Sequence, residues 1–254
     1  MIDKIDSIAA GVTICALQTQ SLLDALDDDQ ARRFAALVQR RLDGEPIAYI
    51  VGQREFFGLP FEVGGDVLIP RPDTELLVEL TLERLPPSGR ALDMGTGSGA
   101  IAVAVAHTRR DADVTALDVS EAALAVARRN AAANGAKVAF LHSDWFAALE
   151  GRTPFDVIAS NPPYISSGDH HLSEGDLRYE PVSALTDHAD GLSALRIIVA
   201  GAMKHLKPQG WLLMEHGYDQ SAAVRALLTE QGYSDVQSWT DLAGIERVTG
   251  ARAH

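Results

Sequence analysis

The sequence predicts an α/β protein: a mostly parallel, seven-stranded sheet with helices on both faces and an antiparallel last strand, preceded by a small helical N-terminal domain. Three observations carry this. After residue 88 short apolar runs alternate with amphipathic segments, the pattern of strand–helix–strand units whose sheet is covered on both sides. The two final apolar runs are joined by a short polar turn and should pair antiparallel. Before residue 70 that alternation is missing, and apolar residues recur at helical spacing instead.

In chain order, residues 1 to 20 give little periodic signal. Between Ser21 and Leu42 the residues Leu22, Leu23, Leu26, Phe34, Leu37, Val38 and Leu42 describe two helices, broken at Asp27-Asp28-Asp29, with Asp28 or Asp29 expected to cap the second. Phe56 to Val63 and Val67 to Ile69 read as the strands of a hairpin, bracketed by Gly58, Pro60 and Gly64-Gly65. Pro70-Arg71-Pro72-Asp73 is a stiff connector, with Asp73 or Thr74 capping a helix to about Arg84, and Pro86-Pro87-Ser88-Gly89 is a break. The expected domains are therefore residues 1–70, a connector at 71–88, and a parallel-sheet domain at 89–254. In that domain strands are expected at Arg90–Met94, Asp113–Asp118, Lys137–His142, Phe155–Ser160, Trp211–Glu215, Asp235–Trp239 and Glu246–Ala251. Helices are expected at Ala100–His107, Glu121–Asn134, Leu192–Leu206 and Gln220–Gln231.

Composition narrows the function classes. With 46% hydrophobic and 22% charged residues in 254, the chain has enough apolar material for a sizeable core. No apolar run has the length of a membrane span, and Met1-Ile2-Asp3-Lys4 does not begin a signal peptide, so a cytoplasmic location is expected. A single cysteine, Cys15, excludes an internal disulfide and a multi-cysteine zinc site. The net charge of −13 argues against nonspecific binding to nucleic acid, which depends on lysine and arginine against phosphate.

Two stretches carry the chemistry. The run Phe155 to Ala159 ends at Asn161-Pro162-Pro163-Tyr164. Each proline fixes its own φ and pushes the preceding residue out of the helical region, which holds the Asn161 carboxamide at the C-terminal edge of a strand, where open α/β sheets place ligands. Neither proline donates a backbone N–H, so the surrounding carbonyls offer acceptors to a planar NH2 group, with the Tyr164 ring available to its face.

The second stretch is Asp93-Met94-Gly95-Thr96-Gly97-Ser98-Gly99, between the first strand and first helix of the domain. Its glycines allow a sharp turn and close approach of a ligand. Spacing separates it from the Gly-x-Gly-x-x-Gly of nucleotide dehydrogenases, and an acid at Asp93 would repel a pyrophosphate but suit an ammonium group. Asp118 ends the next strand, where a carboxylate takes both hydroxyls of a ribose. Asp144 follows the third strand and is placed to accept from an adenine amino group, while Trp145 packs on the ring. These features in order describe a class I, Rossmann-like site for S-adenosyl-L-methionine (AdoMet).

A glycine loop followed by Asn-Pro-Pro-Tyr resembles the AdoMet-dependent amino methyltransferases. Gly44-Glu45-Pro46-Ile47-Ala48-Tyr49-Ile50, Glu55-Phe56-Phe57-Gly58, Leu68-Ile69-Pro70-Arg71-Pro72-Asp73-Thr74-Glu75 and Arg178-Tyr179-Glu180-Pro181 look like the peptide chain release factor N5-glutamine methyltransferases (the PrmC/HemK family), from about residue 40 onward. Residues 1 to 20 depart from that family's opening helices. The resemblance implies transfer of a methyl group from AdoMet, leaving S-adenosyl-L-homocysteine, to the glutamine of the Gly-Gly-Gln motif in class 1 peptide chain release factors. It implies an amide held by the Asn161 side-chain oxygen and the Pro162 carbonyl, its plane set by Tyr164 and Pro163, with Gly95 to Gly99 and Asp93 around the methionine portion. No metal is expected. The N-terminal helices would dock the release factor. The histidines His170 and His171 read as solvated loop residues rather than bases. The rival is an N6-adenine DNA methyltransferase, whose substrate also presents a planar NH2; the acidic charge and the flanking motifs argue against it.

Overall fold

The computed structural model describes residues 27–173 and 175–254, the side chains of His171 and Ser173 excepted. The helix expected to begin at Ser21 and the His171 side chain lie outside the described residues.

Helix α1 spans Asp28–Leu42. Its cap is Asp27, one residue before the expected position, because Asp27 has the extended backbone that lets its carboxylate accept from the amides of Asp29 and Gln30, at 3.0 and 2.9 Å. The Gln30 side chain accepts in return from the Asp27 amide, closing a capping box. No residue of α1 is buried. It is tied down at its C-terminal end, where Arg41 pairs with Asp176 at 3.0 Å and the Asp43 carbonyl accepts from Arg178 and Tyr179. A short helix α2, Ile47–Val51, follows and was not expected.

The hairpin is present, but its strands are β1, Gln53–Phe56, and β2, Leu59–Glu62. The sequence reading placed its turn at Gly64-Gly65 and a strand at Val67–Ile69, and the structure corrects both. The chain reverses at Phe57-Gly58, each with a positive φ (53° and 73°), the backbone of a two-residue hairpin turn whose twist matches its strands. A phenylalanine in a left-handed position hides that turn from a reading based on glycine pairs. Helix α3, Glu75–Arg84, starts as expected, but neither Asp73 nor Thr74 caps it through its side chain. A 3-10 turn, Pro72–Thr74, leads in instead, and the Thr74 hydroxyl is used elsewhere.

Strands β3 (Arg90–Met94), β4 (Asp113–Asp118), β5 (Val138–His142), β6 (Phe155–Ser160), β7 (Leu206–Glu215), β8 (Ser234–Thr240) and β9 (Glu246–Arg252) form one sheet in the order β5-β4-β3-β6-β7-β9-β8. Neighbours from β5 to β7 are parallel, and β9 runs antiparallel between β7 and β8. Helices α4 (Ala100–Thr108), α5 (Glu121–Ala133), α6 (Val182–Leu185), α7 (Ser193–Ala202) and α8 (Ser221–Glu230) complete the chain. Helix α4 is apolar all round, and Ala100 through Ala106 are all buried. One cluster joins the hairpin, α3 and α4 to one face of the sheet, and a second joins α7 and α8 to the other. Reversal of strand order falls between β3 and β6, and the carboxyl ends of those strands open a crevice there.

Candidate active site

The crevice holds a cavity of about 370 Å3, within the size range of small-ligand sites. Its floor is the loop after β3. Gly95 and Gly97 have φ of +74° and +55°, and a Cβ at either would meet nothing within 4 Å, so both face open space with bare backbone. Gly99 has φ +84° for another reason: a Cβ there would stand 3.1 Å from that of Ala127, so the glycine allows α4 and α5 to approach. Gly95, Thr96, Gly97 and Ser98 line the cavity; Gly99 does not.

Asp93 lies behind the loop, only 2% exposed. Its Oδ2 accepts from the Thr96 hydroxyl at 2.6 Å and from the Ala102 amide, in the first turn of α4, at 3.1 Å. Oδ1 is buried and has no partner among the described residues. Burial pushes the carboxyl up to about 7, against the opposing pull of those two hydrogen bonds. The arrangement braces the loop, but Asp93 does not line the cavity: the sequence reading put it beside the ligand, and the structure sets its unpaired oxygen in the interior behind the glycines.

Asp118 lines the opposite wall. Its Oδ2 accepts from the Gly97 amide and its Oδ1 from the Ser120 amide, both at 2.9 Å. These bonds fix the carboxylate and leave each oxygen further acceptor capacity, the requirement for two vicinal hydroxyls. Val119, the next residue, is 64% exposed and lines the cavity, an apolar surface suited to a flat ring. The sequence reading missed it; a valine between a strand-ending acid and a helix cap was the available signal. Asp144 and Trp145 also line the wall. Trp145 has φ +46°, a strained value for this residue, supported by the Ser143 hydroxyl, which donates to its carbonyl at 2.8 Å.

At the mouth stand Asn161 and Pro163. Ser160, the last residue of β6, donates its hydroxyl to the Met94 carbonyl at 2.7 Å and anchors the strand end from which Asn161 projects. The Asn161 Nδ2 donates to the Thr74 hydroxyl oxygen at 3.2 Å, and its Oδ1 accepts from no group among the described residues. Pro162 is buried and off the cavity wall. Tyr164 is also off the wall: its hydroxyl donates toward Glu215 Oε1 at 3.4 Å, and its carbonyl accepts from Gln220 at 2.9 Å. His170 sits on the turn beyond, exposed and beside Asp169 at 3.6 Å.

Arg71 lines the cavity and pairs with Glu180, 109 residues away, whose side chain is wholly buried and whose second oxygen accepts from the Ile69 amide at 3.0 Å. Two sequence motifs thus meet across the site, and the connector is pinned to the segment that follows Tyr164.

Comparison with known proteins agrees with this geometry. Residues 72–175 match the family model "Methyltransferase small domain", and residues 19–52 match "PrmC N-terminal domain". Among solved structures, a methyltransferase from Pyrococcus furiosus superposes with a TM-score of 0.58 at 22% identity, covering 84% of this chain and 96% of that one. A Thermus thermophilus 16S rRNA methyltransferase in complex with AdoMet and guanosine gives 0.56 at 23% identity, covering 80% of this chain and 50% of that one. At these identities they establish the fold. Closer in sequence are proteins named release factor glutamine methyltransferase: one from Neisseria gonorrhoeae is 55% identical, over 89% of this chain and 83% of its own length. One from Burkholderia pseudomallei is 56% identical over 90% and 83%. One from Xylella fastidiosa is 49% identical over 91% and 90%. With a methyltransferase fold and identity of this extent, the chain belongs to the release factor glutamine methyltransferase family.

Proposed function

We propose that this enzyme transfers a methyl group from AdoMet to the N5 nitrogen of the Gly-Gly-Gln glutamine in class 1 peptide chain release factors. The observation that carries the reading is Asn161, a carboxamide held at the end of β6 beside the glycine loop, its nitrogen spent on Thr74 and its oxygen uncommitted. The residues present fit the cofactor. Gly95 to Ser98 would run along its methionine portion, with Asp93 bracing them from behind, Asp118 would accept from its ribose, and Val119, Asp144 and Trp145 would hold its adenine. Gly99 supports the loop from behind. When bound, the cofactor supplies an electrophilic methyl group on a sulfonium.

An amide nitrogen is a weak nucleophile because its lone pair is delocalised into the carbonyl. Asn161 Oδ1 and the Pro162 carbonyl, as acceptors for its two N–H groups, favour the positive charge that grows on nitrogen as the C–N bond forms. Pro163, on the cavity wall, would hold the amide plane, and Tyr164, anchored at both its hydroxyl and its carbonyl, would fix the turn that carries both acceptors. The extra proton leaves after transfer, and it is acidic enough to need no strong base. Helix α1, fixed to the segment after Tyr164 through Arg41 and Asp43, would hold the release factor, and those contacts support the reading by tying it to the chain that follows the Asn-Pro-Pro-Tyr turn.

The test mixes the protein and labelled AdoMet with a recombinant class 1 release factor, its glutamine-to-alanine variant, and adenine-containing DNA. Label on the intact factor alone is expected. Label on DNA, or on the alanine variant, would overturn the substrate assignment. Asn161→Ala should lower transfer by at least about 100-fold, the scale of removing one preorganised transition-state contact, with AdoMet affinity within a few-fold by calorimetry.

A further inference from the structure

We propose that Gln220 is a positioning residue, whose carboxamide clamps the far end of the Asn161-Pro162-Pro163-Tyr164 turn and so aims the Pro162 carbonyl at the substrate amide. The inference rests on the reading of Asn161 Oδ1 and the Pro162 carbonyl as the two acceptors for that amide.

Gln220 stands just before α8, where a side chain ordinarily caps the helix, yet it makes no cap hydrogen bond. Its side chain reaches back across three loops instead. Nε2 donates to the Tyr164 carbonyl at 2.9 Å and to the Gly191 carbonyl at 3.2 Å, and Oε1 accepts from the Gly217 amide at 2.9 Å. Donors and acceptor of one half-buried carboxamide are thus spent on backbone from the turn after β6, the segment before α7 and the segment after β7. β6 and β7 are parallel neighbours, with Ser160 beside Met214, so the turn and the Gly217 segment leave the sheet together. Gly191 is buried at φ +81°, and a Cβ there would overlap the Tyr164 carbonyl oxygen and stand 2.9 Å from Gln220 Nε2, so only glycine lets the third loop close on the clamp. Asp187 holds that loop from behind, accepting from the Ala189 and Gly191 amides through Oδ1 and from the Ser193 amide through Oδ2.

Few torsions can move the acceptor. Pro162 and Pro163 have fixed φ, so the Pro162 carbonyl swings about its own ψ, and that rotation carries Pro163 and Tyr164 with it. Ser160 anchors one end of the turn to the Met94 carbonyl, and Gln220 anchors the other through the Tyr164 carbonyl. With both ends held, the Pro162 carbonyl keeps one direction. The Tyr164 hydroxyl, 3.4 Å from Glu215 Oε1, is a longer contact on a rotatable side chain and leaves the backbone to Gln220. Beyond Tyr164 the Ile165 and Ser167 amides donate to the Leu185 and Ala189 carbonyls at 3.0 Å each, and Gln220 ties this layer to the end of β7. Tyr164, Gly191, Gly217 and Gln220 are all off the wall of the cofactor cavity, so the clamp acts on the transfer step and leaves AdoMet affinity alone.

The experiment uses full-length Gln220→Ala and Gln220→Glu variants with the release factor and AdoMet. Both should lower kcat by about 10- to 100-fold, the scale of a small misplacement at a bound site, with AdoMet affinity by calorimetry within about threefold. In Gln220→Glu a carboxylate faces two carbonyls, acceptor against acceptor, whereas its protonated form has an O–H to give back to Tyr164. Its deficit relative to wild type should therefore shrink as pH is lowered, and that of Gln220→Ala should not. The nearby acids Asp187 and Asp219 are common to all three proteins and cancel in the ratio. A readout independent of turnover is hydrogen exchange at the Ile165 and Ser167 amides, which should quicken at least about tenfold in Gln220→Ala while β3 and β4 keep their wild-type rates. Wild-type kcat in Gln220→Ala, a Gln220→Glu deficit indifferent to pH, AdoMet affinity falling in step with kcat, or exchange accelerated uniformly through the sheet would overturn the proposal. A wild-type protein that leaves the release factor unlabelled would remove the proposed function, and exchange at Ile165 and Ser167 would then decide the clamp by itself.

Discussion

Replacing Asp93 by asparagine should stabilise the ligand-free protein. The carboxylate accepts two hydrogen bonds through Oδ2 and none through Oδ1, so an asparagine oxygen at the Oδ2 position keeps both. What the substitution removes is a buried charge. The folded carboxyl titrates at about 7, against the ordinary 3.8. Because the folded pKa is raised, the native state binds more protons than the unfolded chain between those values, and stability declines as pH rises through that window. A shift of about three units corresponds to about 4 kcal/mol, an upper figure that is fully developed above pH 7. The difference in unfolding free energy between Asp93→Asn and wild type, from urea titrations of ligand-free protein, should therefore grow from near zero at pH 4.5 or so to a few kcal/mol at pH 8, flags of a cost carried by one side chain. A variant with the wild-type pH dependence, or one less stable than wild type at pH 8, would refute the assignment of the cost to Asp93.

Three further outcomes follow from the geometry. Asp118→Ala should weaken AdoMet binding by about 100-fold or more in calorimetry, since charge-assisted hydrogen bonds contribute about 1.5–3 kcal/mol each; an unchanged dissociation constant would remove the ribose assignment. Gly99→Ala should destabilise by about 2 kcal/mol in denaturant unfolding, because φ +84° disfavours a side chain and the new Cβ would crowd Ala127. Arg71→Ala should cost about 3 kcal/mol by leaving the buried Glu180 carboxylate without its partner, and Glu180→Gln in the same background should recover part of the loss.

The parallel domain was readable because its strands are buried on both faces and so appear as uninterrupted apolar runs. Arg90–Met94, Asp113–Asp118 and Phe155–Ser160 fall at the residues expected. The hairpin turn was not, since Phe57 takes a left-handed backbone that its residue type gives no hint of, whereas Gly64-Gly65 advertises a turn without reversing a strand. The site divides along the same line. Asn161 and the glycine loop declare themselves by local chemistry. Thr74 reads locally as a helix cap, and only the tertiary structure, bringing it within 3.2 Å of Asn161, assigns its oxygen elsewhere. Tyr164 looked like a surface for the amide, yet its hydroxyl is drawn toward Glu215, a residue that looks from sequence like the polar end of a buried strand.

The placement of β9 bears on how the chain reaches this state. β8 precedes it in sequence but among the described residues has no neighbour in the sheet except β9, and of the two only β9 pairs with β7. β8 therefore cannot join ahead of its successor, and the two are expected to dock as one hairpin onto a sheet already formed as far as β7. Arg247, at the start of β9, arrives with that step and is one of the charges facing Glu215. The charge environment of Glu215, which leaves the sheet beside Asn161, is thus completed by a late folding event, and hydrogen exchange should find β8 and β9 opening together, ahead of β3 and β6.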